Sequence, residues 1–325
     1  MTTRTTLSAM AAVGLALVAG GSVQASTDSA IESIRQGSAA LVPLMRTELA
    51  REFLEACSSL PEPPSRVVLH DRAREHYFSQ REAASVPDSV RFSLEPDSLG
   101  GLFFYQTRYG PILNYTRVFE VLSAWGVTTF DHQRVLDFGY GRIGHLRALA
   151  SLGADAVGVD IDPLLRALYA EPDDQGEVRG QAGRVGRVAI VTGSFPGDTA
   201  IRAAVGSGYD LVISKNTLKG GHSPAERSSQ RMVIDLGVSD SAFVRAVAAC
   251  LKPGGLFLMY TISGRKGSAG CPFSDAMLRA AGFEILAYDR DDSPGAQAMM
   301  GTLHHLQPLE EAELMALYTL ARRAH

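Results

Sequence analysis

Val135-Leu136-Asp137-Phe138-Gly139-Tyr140-Gly141-Arg142-Ile143-Gly144 is the stretch on which the fold turns. A short apolar run reads as a strand, the glycines follow at once, and His145 to Leu152 has helical composition. Strand, glycine turn and helix in that order make a ligand cradle. Glycines let backbone approach a ligand closely, and the free N–H groups of the helix start point at it. The Gly-x-Gly-x-x-Gly spacing is weak alone, because glycine turns are common. Its neighbours strengthen it. Asp137 sits at the strand end, and a second β-rich run over 156–160 closes on Asp160, 23 residues later. That is about where an acid would grip a ribose.

Outward from the loop, short β-rich runs at 135–138, 156–160, 188–192, 209–214, 256–262 and 283–289, with a further one at 296–303, alternate with Ala/Leu-rich helical runs. The alternation predicts an α/β fold with a Rossmann-like, mostly parallel sheet and crossover helices over 134–325. Leu309 to Arg323 reads as an amphipathic helix. Upstream, residues 26–133 read as an N-terminal helical extension. Ile31, Ile34, Leu41, Leu44, Met45, Leu49, Phe53 and Leu54 recur at helical spacing over about 28–57, with Pro43 kinking or splitting the run. Pro61, Pro63 and Pro64 stop it, and a second helix is expected from Asn114 to Trp125.

Residues 1–25 read as a secretory signal peptide. Arg4 precedes an apolar run, Leu7 to Val18, and the small-residue site Val23-Gln24-Ala25. The expected location is therefore exported, periplasmic or secreted, and cytoplasmic should that reading fail. The apolar run is short for a membrane span, and no later run reaches about 18 apolar residues. The formal net charge of −4 argues against an electrostatic nucleic-acid binder. Cys57, Cys250 and Cys271 form no CxxC pair and predict no essential disulfide, with Cys271 the more reactive as a loop thiol. His304 and His305 are adjacent, which in a strand puts them on opposite faces, so no metal site is expected.

Four landmarks in order carry a resemblance. Asp137-Phe138-Gly139-Tyr140-Gly141, Gly158-Val159-Asp160-Ile161-Asp162-Pro163, Tyr209-Asp210-Leu211-Val212-Ile213-Ser214 and Leu251-Lys252-Pro253-Gly254-Gly255 resemble those of the class I S-adenosylmethionine-dependent methyltransferases. The resemblance covers about residues 134–305. It implies S-adenosylmethionine as cofactor, methyl transfer to a small-molecule or unknown acceptor, and a cofactor site of Asp137, Gly139, Gly141, Gly144, Asp160, Ile161, Ser194 and Phe195. Two departures stand out. Ile143 holds the place of that family's third glycine, and Thr192-Gly193-Ser194-Phe195 lacks the acid often found there.

The Gly144 spacing also fits a nicotinamide-dependent oxidoreductase, and the leader fits a non-catalytic exported binding protein on the same scaffold. A ligand screen with nicotinamide dinucleotides and S-adenosylmethionine separates the first alternative. Binding without turnover would mark the second. Lys215 and Asn216, at the carboxyl edge of the sheet, and His222, a side chain that titrates near neutrality, are the catalytic candidates. Asp162 before Pro163 suits a helix N-cap. Asp137 either orients the glycine loop or meets a ligand ammonium. Tyr105, Tyr109 and Tyr115 suit either a lid or a core.

Overall fold

Ser29 and Thr47 each accept a backbone N–H from three residues on, and so cap helices α1 (Ala30–Leu41) and α2 (Glu48–Ser58). Pro43 lies in a short 3-10 turn, Val42–Leu44, so it splits the expected helix in two. The computed structural model describes residues 29–107, 110–218, 236–263, 270–304 and 314–325. The leader, Tyr109, His222 and His305 lie outside the described residues.

The extension also holds a small sheet that the sequence pattern did not announce. Strands β1 (Arg66–Asp71) and β2 (His76–Ser79) are followed by single helical turns α3 (Gln80–Ala83) and α4 (Asp88–Arg91), then by β3 (Glu95–Leu99). The order is β2-β1-β3, antiparallel throughout. Helices α5 (Leu102–Tyr105) and α6 (Tyr115–Ala124) lead into the main layer.

That layer begins with β4 (Arg134–Phe138), α7 (Gly144–Ser151), β5 (Asp155–Asp160) and α8 (Pro163–Leu168). It continues through β6 (Gly176–Arg179), β7 (Val185–Thr192), α9 (Thr199–Val205), β8 (Tyr209–Lys215) and α10 (Asp240–Cys250). It ends with β9 (Leu251–Ser263), α11 (Asp275–Ala280), β10 (Phe283–Asp291), α12 (Ser293–His304) and β11 (Met315–Arg323). The strand order is β10-β11-β9-β8-β4-β5-β7-β6. Strands β7, β5, β4, β8 and β9 run parallel, while β6 and β11 pair antiparallel with their neighbours. The expected Rossmann-like sheet is therefore present. The chain builds outward from β4 to β7 and then returns to β8, so the order reverses at β4/β8. Ligands of open α/β sheets bind at the carboxyl ends of the strands at such a point.

Two local expectations are corrected. Residues 296–303 are helical, not a strand: they belong to α12, whose buried Ala296 and Met299 lie on one helical face. Residues 315–323 are a strand, not an amphipathic helix. β11 sits between β9 and β10 and buries Ala316, Tyr318, Leu320 and Ala321, with Thr319 buried between them. A strand covered on both faces loses its alternation, and its Ala/Leu content then imitates a helix.

The extension and the main layer share one core. Phe119 on α6 packs edge-on to Phe53 on α2 at 4.5 Å and to Phe130, just before β4, at 4.8 Å. Gly144 belongs to this seam. A Cβ there would stand 2.4 Å from the carbonyl oxygen of Tyr105 and 3.0 Å from Ile112 Cδ1. Gly144→Ala is expected to cost about 2–3 kcal/mol by overpacking, read as a lower midpoint in urea. An unchanged midpoint would show that the extension can move off α7.

Candidate functional site

The glycine loop is held open by its own backbone and by Asp160. Gly139 and Gly141 have φ of +77° and +62°, values that favour glycine. The N–H of Gly139 donates to the Val159 carbonyl at 2.8 Å. Asp160 accepts from the N–H of Gly141 and from that of Asp162, each at 3.0 Å. Asp162 in turn caps α8 by accepting from Leu164 N–H at 3.0 Å, as its sequence position predicts. Burial raises the pKa of Asp160 above the ordinary aspartate value, against those N–H bonds.

Two cavities meet at Gly139 and Thr217. The first, about 230 Å³, has Phe138, Val159, Ile161 and Phe195 as apolar walls, with Asp160 and Ser194 at its polar rim. Ile161 is 58% exposed although apolar. The second, about 390 Å³, is lined by Tyr115, Gly141, Arg142, His145, Lys215 and Asn216 among others. Thr217 Oγ1 donates to the Gly139 carbonyl at 3.2 Å, on the divide between the two.

Behind the second cavity lies a buried charged cluster. Asp137 is wholly buried, and its Oδ2 accepts from the Tyr115 hydroxyl and from His145 Nε2, each at 2.6 Å. The Tyr115 and His145 rings stack at 3.8 Å, 10° from parallel. Asp137 Oδ1 has no hydrogen-bond partner among the described residues. The Lys215 ammonium lies 5.1 Å from the Tyr115 ring centroid. Burial brings its pKa down to about 8, with Asp137 pulling the other way. Burial and the neighbouring Asp137 charge hold the Tyr115 phenol well above the usual tyrosine value.

Asn216 follows β8 in the left-handed region at φ +60°, a conformation that asparagine tolerates and that clusters at functional sites. Its N–H donates to Tyr260 O at 2.9 Å, and its Oδ1 accepts from Ile262 N–H at 2.8 Å. Its carbonyl end is thus committed to β9, which fixes the turn that presents Lys215.

The structure therefore brings together Asp137, Gly139, Gly141, Asp160, Ile161, Ser194, Phe195, Lys215 and Asn216. It does not bring Gly144, which Tyr105 and Ile112 seal off. Tyr105 is core, its hydroxyl donating to Pro61 O at 2.9 Å. Cys250 and Cys271 are free, and Cys271 is not the reactive thiol its loop position suggested. Burial raises its pKa to about 12. Sequence reading missed His145 and left Tyr115 undecided. A usable signal was present: a histidine in the first turn after a strand–glycine–helix connection returns to the strand end it left.

A larger cavity, about 600 Å³, lies elsewhere among the described residues, between α2, α7 and the β6–β7 hairpin. Most of its charged groups are already engaged within the chain. Arg184 pairs with Glu52 at 3.1 Å, Arg179 with Glu177 at 2.9 Å, and Arg147 donates to Asp173 O and Asp174 O. It is also away from the strand ends where the order reverses.

No protein-family profile matches the chain, and no curated protein matches it. Similar solved structures exist. One is a protein described as a sarcosine dimethylglycine methyltransferase from Galdieria sulphuraria, at 15% identity and a TM-score of 0.44, covering 67% of this chain and 86% of that one. Another is described as phospholethanolamine N-methyltransferase 2 of Haemonchus contortus, at 14% identity and a TM-score of 0.38, covering 81% and 69%. A third is the magnesium protoporphyrin IX methyltransferase of Synechocystis, at 17% identity and a TM-score of 0.36, covering 65% and 84%. The fold of this chain is Rossmann-like on its own strand order, and these three structures similar to it are methyltransferases.

Proposed function

We propose that the chain binds S-adenosylmethionine and transfers its methyl group to an acceptor in the cavity beside Lys215. One observation carries the reading: two cavities meet at Gly139 where the strand order reverses, one with Asp160 at its rim and one backed by Asp137. The residues suit that cofactor. The walls of Ile161 and Phe195 fit a flat purine, and Asp160 has lone pairs left to accept from a ribose diol. The unpartnered Oδ1 of Asp137 suits an ammonium. When bound, S-adenosylmethionine supplies a methyl group already activated by its positive sulfur. The chain then needs only to align an acceptor and exclude water. Arg142, 8% exposed, helps to seal the second cavity by lying 4.2 Å over the Phe103 ring.

Asp160→Ala is expected to weaken binding of S-adenosylhomocysteine, the demethylated product, about tenfold to a hundredfold, from lost charge-assisted bonds. Asp162→Ala should instead cost about 1 kcal/mol of stability through its cap and keep binding. Calorimetric titration of both, beside melting curves, decides it. The reverse pattern would place the ribose elsewhere. Because burial raises the Asp160 pKa, acidification should begin to protonate it above the ordinary aspartate range, so affinity falls there earlier than at an exposed aspartate. Melting raised by NAD and not by S-adenosylhomocysteine would favour the oxidoreductase reading.

A further inference from the structure

The second cavity is walled by cationic side chains. Among the described residues, Arg142 and Lys215 are its charged lining groups, and no carboxylate lines it. Arg142 is already engaged: it donates to Gly141 O, lies over Phe103, and has Asp162 at 3.9 Å. Lys215 is not. It is 6% exposed, and its ammonium makes no hydrogen bond and no ion pair among the described residues. Tyr115 and His145 stand near it, but both direct their donors to Asp137 Oδ2. Asp137 supplies charge nearby but no hydrogen bond, and a buried ammonium without an acceptor is costly, so an anion entering the cavity would complete the site.

Resting on the methyl-transfer reading above, we propose that Lys215 anchors the carboxylate of the methyl acceptor, so that this site forms methyl esters. A carboxylate suits the cavity in three ways. It is already ionised near neutrality. It has one oxygen to meet Lys215 and a second to react. It also needs no base, and the nearby histidine is tied to Asp137. A lone pair of the second oxygen forms the new O–CH₃ bond. The S–CH₃ bond breaks with its electron pair kept by sulfur, and no proton moves. An ammonium-bearing acceptor would be repelled by Lys215 and Arg142.

The test uses benzoate, its neutral isostere benzamide and the cation benzylamine. Each is titrated calorimetrically into the full chain saturated with S-adenosylhomocysteine, for the parent, Lys215→Met and Lys215→Arg. Benzoate should bind the parent about tenfold to a hundredfold more tightly than benzamide, as a charge-assisted bond predicts. Lys215→Met should bring that ratio near one, Lys215→Arg should restore part of it, and all three should hold S-adenosylhomocysteine within about threefold. Equal binding of benzoate and benzamide, or tighter binding of benzylamine, overturns the proposal and leaves the methyl-transfer reading standing. Loss of S-adenosylhomocysteine on Lys215→Met, with the benzoate preference unchanged, overturns it too and gives Lys215 to the cofactor's own carboxylate. A parent that does not bind S-adenosylhomocysteine defeats both.

Discussion

Lys215→Met is expected to be more stable than the parent at pH 7. Burial holds the lysine pKa at about 8 in place of 10.5. Each unit of such a difference is worth about 1.4 kcal/mol, so the charged side chain costs the fold on the order of 3 kcal/mol. Methionine keeps most of the apolar stem and removes the charge. Losing the contact with the Tyr115 face offsets about 1 kcal/mol, which leaves a net gain of about 2 kcal/mol. The pH dependence follows from the lowered pKa. Below about pH 8 the lysine is protonated in both states, and its cost is fully present. Between about 8 and 10.5 only the unfolded state holds the proton, and the cost fades. The gain should therefore be complete at pH 7 and mostly gone by pH 10, as urea titrations at the two values would show. No gain at pH 7 would mean that the ammonium is solvated or paired, and the carboxylate-anchor proposal would lose its motive. A stabilising change at a ligand-facing position is what a site that gives up stability for binding should yield.

Asp137→Ala is expected to cost about 3–5 kcal/mol, the usual penalty for breaking a buried charged cluster. Two donors, Tyr115 Oη and His145 Nε2, would lose their shared acceptor in a dry place, and Lys215 would lose its nearest counter-charge. Binding of S-adenosylhomocysteine should fall at least tenfold in whatever fraction stays folded, because the Oδ1 proposed to meet its ammonium is gone. Combining Asp137→Ala with Lys215→Met should recover part of the stability, since the ammonium no longer needs a counter-charge. Denaturation of the four variants of this cycle measures the coupling. A cost below about 1 kcal/mol for Asp137→Ala alone would show that Tyr115 and His145 find other partners.

The glycine loop, Asp160 and the cap at Asp162 were readable from the sequence because their chemistry is local. A strand end, a positive-φ turn and the first turn of a helix lie within a few residues of one another. The separation of Asp137 from Asp160 reports a β-α-β step directly. The parallel core of the sheet was readable for the same reason, as alternating periods along the chain. Recognition faltered where neighbours in space set the pattern. β11 is wedged between two strands, so both of its faces are covered and its period disappears. The sheet β1–β3 is short and half exposed, so no strong period marks it.

The site divides along the same line. Sequence by itself determined which residues stand at the carboxyl edge of the sheet, since each ends a strand or follows one: Asp137, Asp160, Ser194, Lys215 and Asn216. Only the tertiary structure decided what each of them meets. Gly144 left the site because Tyr105 of the extension packs on it, and Tyr115 and His145 entered it by closing on Asp137. Lys215 became an ammonium without an acceptor among the described residues because the elements around it spend their polar groups on one another. Burial and pairing depend on contacts between distant segments, and no local pattern of residues encodes them.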